Sequence, residues 1–243
     1  MPNYEETASR LHLSAQQSRS VDRFAIDQLG LSSLVLMENA GRRGAEVIYD
    51  CLKSRPHMDH TVTIIIGPGN NGGDGWVIAR HLEAWGVEIH CILVGSPDRL
   101  SPDNKANFSV LQRSGLQPLI VRESDDSIVE VCQAKFRSSS LCVDALLGTG
   151  SQGRPREPLA SIIRLANEMD LMRIAIDLPS GLDADSGVAH EPTFRADRTI
   201  TMVTRKLGFQ NPTAQPYLGE VIVIPIGIPA SQLRQLAEAE VSQ

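Results

Sequence analysis

Residues 61–85, TVTIIIGPGNNGGDGWVIARHLEAW, decide the fold. Thr61 to Ile66 is a β-branched run suited to a strand buried on both faces, and it stops at Gly67 and Pro68. Gly67, Gly69, Gly72, Gly73 and Gly75 then allow positive φ and close approach of a ligand, and Asp74 stands where a helix N-terminus is expected. From Trp76 the apolar residues Val77, Ile78, Leu82 and Trp85 recur at helical spacing. Strand, glycine loop and helix in that order aim free N–H groups and the positive end of a helix dipole at one spot, which should attract phosphate or another anion.

GPGNNG also satisfies G-x-G-x-x-G in the strand-to-helix context of the dinucleotide fingerprint. A standard NAD enzyme then shows an acidic residue at the end of the next strand, about 20 residues on, to hold the ribose. Here that strand, Val87 to Val94, ends in Gly95 and Ser96. With Asn70, Asn71 and Asp74 in the loop, this argues for a polar site unlike an ordinary NAD cradle and against an oxidoreductase.

Outward from this stretch the pattern alternates. Helix is expected over Pro102 to Ser114, Asp125 to Phe136 and Leu159 to Met169. Strands are expected over Leu119 to Val121, Leu141 to Asp144, Arg173 to Asp177, Thr199 to Val203 and Glu220 to Ile224. Alternation of this kind is the signature of an α/β fold, a Rossmann-like three-layer αβα sandwich with a mostly parallel central sheet. Upstream, Ser14 to Gln17 has the form of a capping box, opening a helix that ends at Gly30, and Ser32 or Ser33 caps a second. In that second helix Ala40, Gly41 and Gly44 would let another helix of the chain, or another subunit, come close. Met1 to Leu13 reads as a mobile arm, Ser231 to Glu240 as a closing helix, and the 243 residues as one domain.

Charged residues are 21% and apolar ones 42% of the chain, with neither a membrane-spanning apolar run nor a signal peptide, so a cytoplasmic protein is expected, or one of an organelle matrix in a eukaryote. A net charge of -6 without a basic block argues against nucleic acid and anionic lipid as partners. Cys51, Cys91, Cys132 and Cys142 form no C-x-x-C pair and read as free buried thiols.

Because crossovers in a parallel sheet share one hand, all strand ends lie on one rim, where ligands bind. Two later strands end there in Asp144, before ALLGTGSQGRP, and in Asp177, before LPSGLDADSG. A carboxylate at the end of a buried strand is costly unless paired, so each either serves a site or caps the loop after it. Gly148, Thr149, Gly150, Ser151, Gln152, Gly153 and Arg154 form a polar stretch whose amides and guanidinium suit phosphate or carboxamide. Ser180 lacks a nucleophile elbow and an activating His. Asn71, Asp144 and Ser180 offer oxygen ligands with one formal charge, a set that suits a monovalent cation better than zinc or calcium.

GPGNNGGDG, VDALLGTG and IDLPSGLDADSG, together with LVLMENAG at Leu34 to Gly41, strongly resemble the NAD(P)H-hydrate epimerase family, the YjeF N-terminal domain, from about Ala15 to the GIP at Gly227 to Pro229. The resemblance implies an isomerase of coenzyme repair that interconverts the R and S forms of hydrated NADH and NADPH (NADHX and NADPHX), paired with a separate S-specific dehydratase. It places substrate contacts on Asn70, Asn71, Gly72, Gly73 and Asp74, on Gly148 to Arg154, and on Asp177, with one potassium ion per subunit on Asn71, Asp144 and Ser180. It also implies a homodimer through the N-terminal helices. At 243 residues the dehydratase activity is expected to reside on another chain. Asp177 is the favoured acid/base group, and Lys206 reads as a surface lysine. The competing reading is a non-catalytic ligand- or protein-binding module on the same fold.

Overall fold

The computed structural model describes residues 8, 10–54, 60–123, 126–229 and 231–233. Thr61–Ile66 (β2) lies inside a seven-stranded sheet and all six of its residues are buried. Its neighbours in the chain are β3 (Glu88–Val94) and β4 (Leu119–Val121) on one side. On the other side follow β5 (Leu141–Ala145), β6 (Met172–Ile176), β7 (Arg198–Met202) and, at the edge, β9 (Glu220–Ile224). Every neighbouring pair is parallel. The mostly parallel sheet expected from the alternation is therefore parallel throughout.

Period-two alternation along β2 sends Val62, Ile64 and Ile66 into one core and Ile65 into the other. The first core is covered by α2 (Ser33–Lys53), α3 (Asn70–Ala84) and α4 (Pro102–Arg113), through Ile48, Trp76 and Phe108. The second is covered by α5 (Asp126–Arg137) and α6 (Leu159–Glu168), through Phe136 and Ile163. Helices on both faces make the three layers. From β2 the chain builds to β3 and β4, then returns to place β5 against the other edge of β2. The strand order thus reverses between β2 and β5, and a crevice opens beyond their C-terminal ends.

Several local expectations are modified. The helix after the glycine loop begins at Asn70, capped by Gly69, so Asp74 lies within the helix and not at its start. None of the five loop glycines has positive φ. They are needed for close approach: a side chain at Gly67 would overlap the Leu146 carbonyl, and one at Gly72 the Gly67 carbonyl. Gly41 packs on Val77 and Gly44 on Ile78, so the small residues of α2 serve contact within the chain.

The first helix, α1 (Ala15–Asp27), carries the expected capping box: Gln17 N donates to Ser14 Oγ at 3.1 Å and Ser14 N to Gln17 Oε1 at 2.8 Å. Just before it, His12–Leu13 (β1) pairs in parallel with Arg205–Lys206 (β8), and Leu13 is buried. The arm expected over Met1 to Leu13 is therefore fastened at its C-terminal end, and residues 1–7 lie outside the described residues. The closing helix expected over Ser231 to Glu240 lies outside them beyond Leu233. All four cysteines are buried and free. No helix among the described residues is long and apolar enough to cross a membrane.

Candidate active site

The crevice between β2 and β5 widens into a cavity of about 590 Å³, within the ~300–1,000 Å³ range of small-molecule sites. Pro68 to Asn71, Asp74, Leu146 to Ser151 and Asp177 line it from the sheet side. Met202 to Thr204 and Lys206 close another side, and α1 contributes Arg19, Asp22 and Ile26.

Asp144, fully buried in β5, does hold the loops around it. Its Oδ1 accepts from Ser180 Oγ at 2.7 Å and Leu146 N at 3.0 Å, and its Oδ2 from Ser180 N at 2.8 Å. Burial raises its pKa to about 6, although these donors from Ser180 and Leu146 pull it down. Ser180 Oγ in turn accepts from Leu147 N at 3.0 Å. Asn71, from the first turn of α3, donates through Nδ2 to the carbonyls of Leu147 at 3.0 Å and Ile176 at 3.1 Å. Those two bonds fix the amide orientation and leave its buried Oδ1 without a partner. Asn71, Asp144 and Ser180, far apart in sequence, are joined by this network around Leu147.

Asp177 follows β6 with a φ of 69°, a left-handed conformation uncommon outside glycine that concentrates at functional sites. Its N–H donates to Ile200 O of β7 at 2.7 Å, which anchors the turned backbone. The side chain points into the cavity: Oδ2 accepts from Thr149 N at 2.9 Å, and Oδ1 pairs with Lys206 Nζ at 2.8 Å. Gly148 lets the loop close over this carboxylate, since a Cβ there would sit 3.1 Å from Asp177 Oδ2.

The structure corrects the reading of Lys206. Its side chain is 4% exposed and ion-paired. The pairing of β8 with the N-terminal β1, which buries it, joins segments some 190 residues apart and leaves no local signal. Asp22 was missed for a related reason, because only the packing of α1 brings it to the cavity. Its side chain is exposed along the cavity wall, where the surrounding protein raises its pKa to about 6, against Lys206, which lowers it, with Asp177 adding to the rise. Asp74 is held well above the ordinary carboxylate range, first by burial and then by Asp177 and Asp22.

Of the residues expected to bind substrate, Asn70, Asn71, Asp74, Gly148, Thr149, Gly150, Ser151 and Asp177 line the cavity. Gly72 and Gly73 do not, being packed against Gly67 and Met37 respectively. Nor do Gln152, Gly153 and Arg154, because the chain turns outward at Gly153 (φ 74°) and leaves all three exposed.

Asn104, also unforeseen, organises the glycine loop from α4. Fully buried, it donates to the carbonyls of Gly67 at 3.0 Å and Gly69 at 2.6 Å, and accepts from Trp76 Nε1 at 2.8 Å. Those two bonds to its carbonyls fix the path of the glycine loop along the cavity. Asn104→Leu strands two buried polar groups, the Gly67 carbonyl and Trp76 Nε1, and is expected to cost roughly 2–4 kcal/mol in a denaturant titration. The Tyr-x-x-x-Lys spacing at Tyr49 and Lys53 lies on α2, its ammonium 4.2 Å above the phenol ring, and takes no part in this cavity.

A family model described as YjeF-related protein N-terminus matches residues 33–208. The NAD(P)H-hydrate epimerase of Pirellula staleyi is 40% identical over 221 residues, 91% of this chain and 94% of the relative. That of Rhodopirellula baltica is 35% identical over 225 residues, 93% and 88% of the two chains. The bifunctional NAD(P)H-hydrate repair enzyme of Salinibacter ruber is 38% identical over 231 residues, 93% of this chain but 42% of that protein. Among solved structures, yeast ynu0 (YNL200c) superposes with a TM-score of 0.70 at 23% identity, covering 82% of this chain and 83% of that one, a likeness of fold.

Proposed function

The chain belongs to the family of YjeF-related protein N-termini, and from that premise we infer that it is an isomerase, an NAD(P)H-hydrate epimerase acting in nicotinamide coenzyme repair. The observation that carries this reading is Asp177 in a strained turn, paired with buried Lys206 on the wall of a cavity that an amide-rich loop also lines. The loop amides at the start of α3 and at Gly150 suit the anionic part of a dinucleotide. The hydrated ring then lies toward Asp177.

In that ring the carbon bearing the hydroxyl adjoins the nitrogen, so loss of water gives an iminium that water can re-enter from the other face. Asp177, oriented by Thr149 N and Lys206 Nζ, accepts the proton of the entering water. Lys206 fixes its orientation and balances its charge.

One feature supports potassium: the buried Oδ1 of Asn71 has no partner among the described residues and is an oxygen that a cation would satisfy. We propose that Asn71, with Asp144 and Ser180 beside the same loop, holds the ion, which when bound supplies a positive charge beside the substrate. Asn71→Ala is expected to weaken the apparent potassium affinity roughly tenfold, about 1.4 kcal/mol, in a rate-against-potassium titration. Unchanged affinity would remove Asn71 from the ligand set.

The product, on this reading, passes to an S-specific dehydratase, and the bifunctional relatives pair two repair activities in one chain. A homodimer through the N-terminal helices would use Leu29, Leu34 and Val35, which are exposed, since Gly41 and Gly44 are occupied within the chain. Sedimentation of the wild type against Leu34→Glu tests that face.

The reading itself is tested with the separated R form of NADHX. Conversion to the S form above the uncatalysed rate is expected. Tight binding without conversion would make the protein a ligand-binding module instead.

A further inference from the structure

Asp177 takes up a proton, whereas epimerisation also requires one to be given to the hydroxyl that departs. We propose that Asp22, on the wall that α1 contributes to the cavity, is the catalytic acid that protonates the leaving hydroxyl, acting from a different wall than Asp177. This assignment rests on the epimerase reading and deepens it.

The charged groups facing the cavity come from five elements: Arg19 and Asp22 from α1, Asp74 from α3, Asp103 from α4, Asp177 at the end of β6 and Lys206 from β8. Carboxylates outnumber cations in this partly dry space, so the cluster retains a proton near neutral pH. Asp177 has both oxygens engaged, one by Lys206 Nζ and the other by Thr149 N, and serves as the base. Asp103 stands in the first turn of α4, beside the glycine loop that Asn104 of the same helix holds. Between the two that remain, Asp74 lies within α3 and lines the cavity from the sheet side, as Asp177 does, so it does not approach the ring from another wall. Asp22 titrates at about 6, close to working pH, and its exposed surface opens on the cavity.

The proton and electron balance closes without a further reactant. As the C–O bond breaks, the oxygen keeps the bonding pair, receives the Asp22 proton and leaves as water, while the ring nitrogen's lone pair forms the C=N bond. Water entering from the other face forms the new C–O bond, returns the C=N pair to nitrogen and gives its proton to Asp177. Exchange with solvent restores both carboxyls, and no redox change occurs.

The pH dependence of epimerisation of separated NADHX decides the matter, with the uncatalysed rate subtracted. An acid must be protonated, so wild-type kcat should fall as pH rises through about 6. Asp22→Asn should lower kcat about 100-fold, abolish that limb and leave KM within a factor of two, the last showing that the variant folds. Asp22→Glu should restore the limb and part of the rate. Unchanged kcat and limb in Asp22→Asn overturns the assignment, and so does a raised KM at unchanged kcat, which would make Asp22 a binding group only. A wild type no faster than buffer takes down the epimerase reading and this one with it, an outcome distinguishable from the other two.

Discussion

Asp177→Asn is expected to reduce kcat for epimerisation by about 10²–10⁴-fold, with substrate affinity largely kept. Asparagine retains the shape and one oxygen of the carboxylate, so either Thr149 N or Lys206 Nζ still finds an acceptor and the loop stays in place. What disappears is the capacity to take a proton from water and the charge that opposes Lys206. The measurement is kcat and KM on the separated R form, together with a substrate-binding titration. A variant that binds substrate and turns over at the wild-type rate would strip Asp177 of its role.

Lys206→Met should be the more destabilising of the two changes. The Lys206 and Asp177 side chains are 4% and 14% exposed, and breaking a buried pair from one side leaves the other charge uncompensated. Because Asp177 retains contact with the cavity, the expected cost is about 2–4 kcal/mol rather than the full ~3–5 kcal/mol of an enclosed pair. Urea unfolding reads it directly. The double variant Asp177→Asn, Lys206→Met should recover part of that loss, because no orphaned charge remains. Additive losses in the double variant would mean that the two side chains do not act as a pair.

The small residues of α2 show how a feature can be plain in the sequence while its use is not. Ala40, Gly41 and Gly44 at helical spacing predict a close approach, and the approach exists, but its partner is α3 of the same chain. A spacing rule describes one surface and carries no information about what covers it. The loop glycines behave likewise: their number marks a constrained backbone, yet the constraint is contact with the Leu146 and Gly67 carbonyls, not positive φ. The non-glycine left-handed positions among the described residues are Asp177 and Val203, neither marked by a glycine in the sequence.

The sequence alone determined the layered α/β architecture, because β-branched runs, helical periodicity and turn residues are local signals. It also placed Asn71, Asp144 and Asp177 at the rim, because each stands at or next to a strand end or a helix start, and Ser180 in the turn that follows. Tertiary structure alone decided that Lys206 pairs with Asp177 and that Asp22 faces them. Both depend on the N-terminal segment folding back over the far end of the sheet, β1 on β8 and α1 against the cavity. Burial and ion pairing are properties of what surrounds a side chain, and here the surroundings come from the opposite end of the polypeptide.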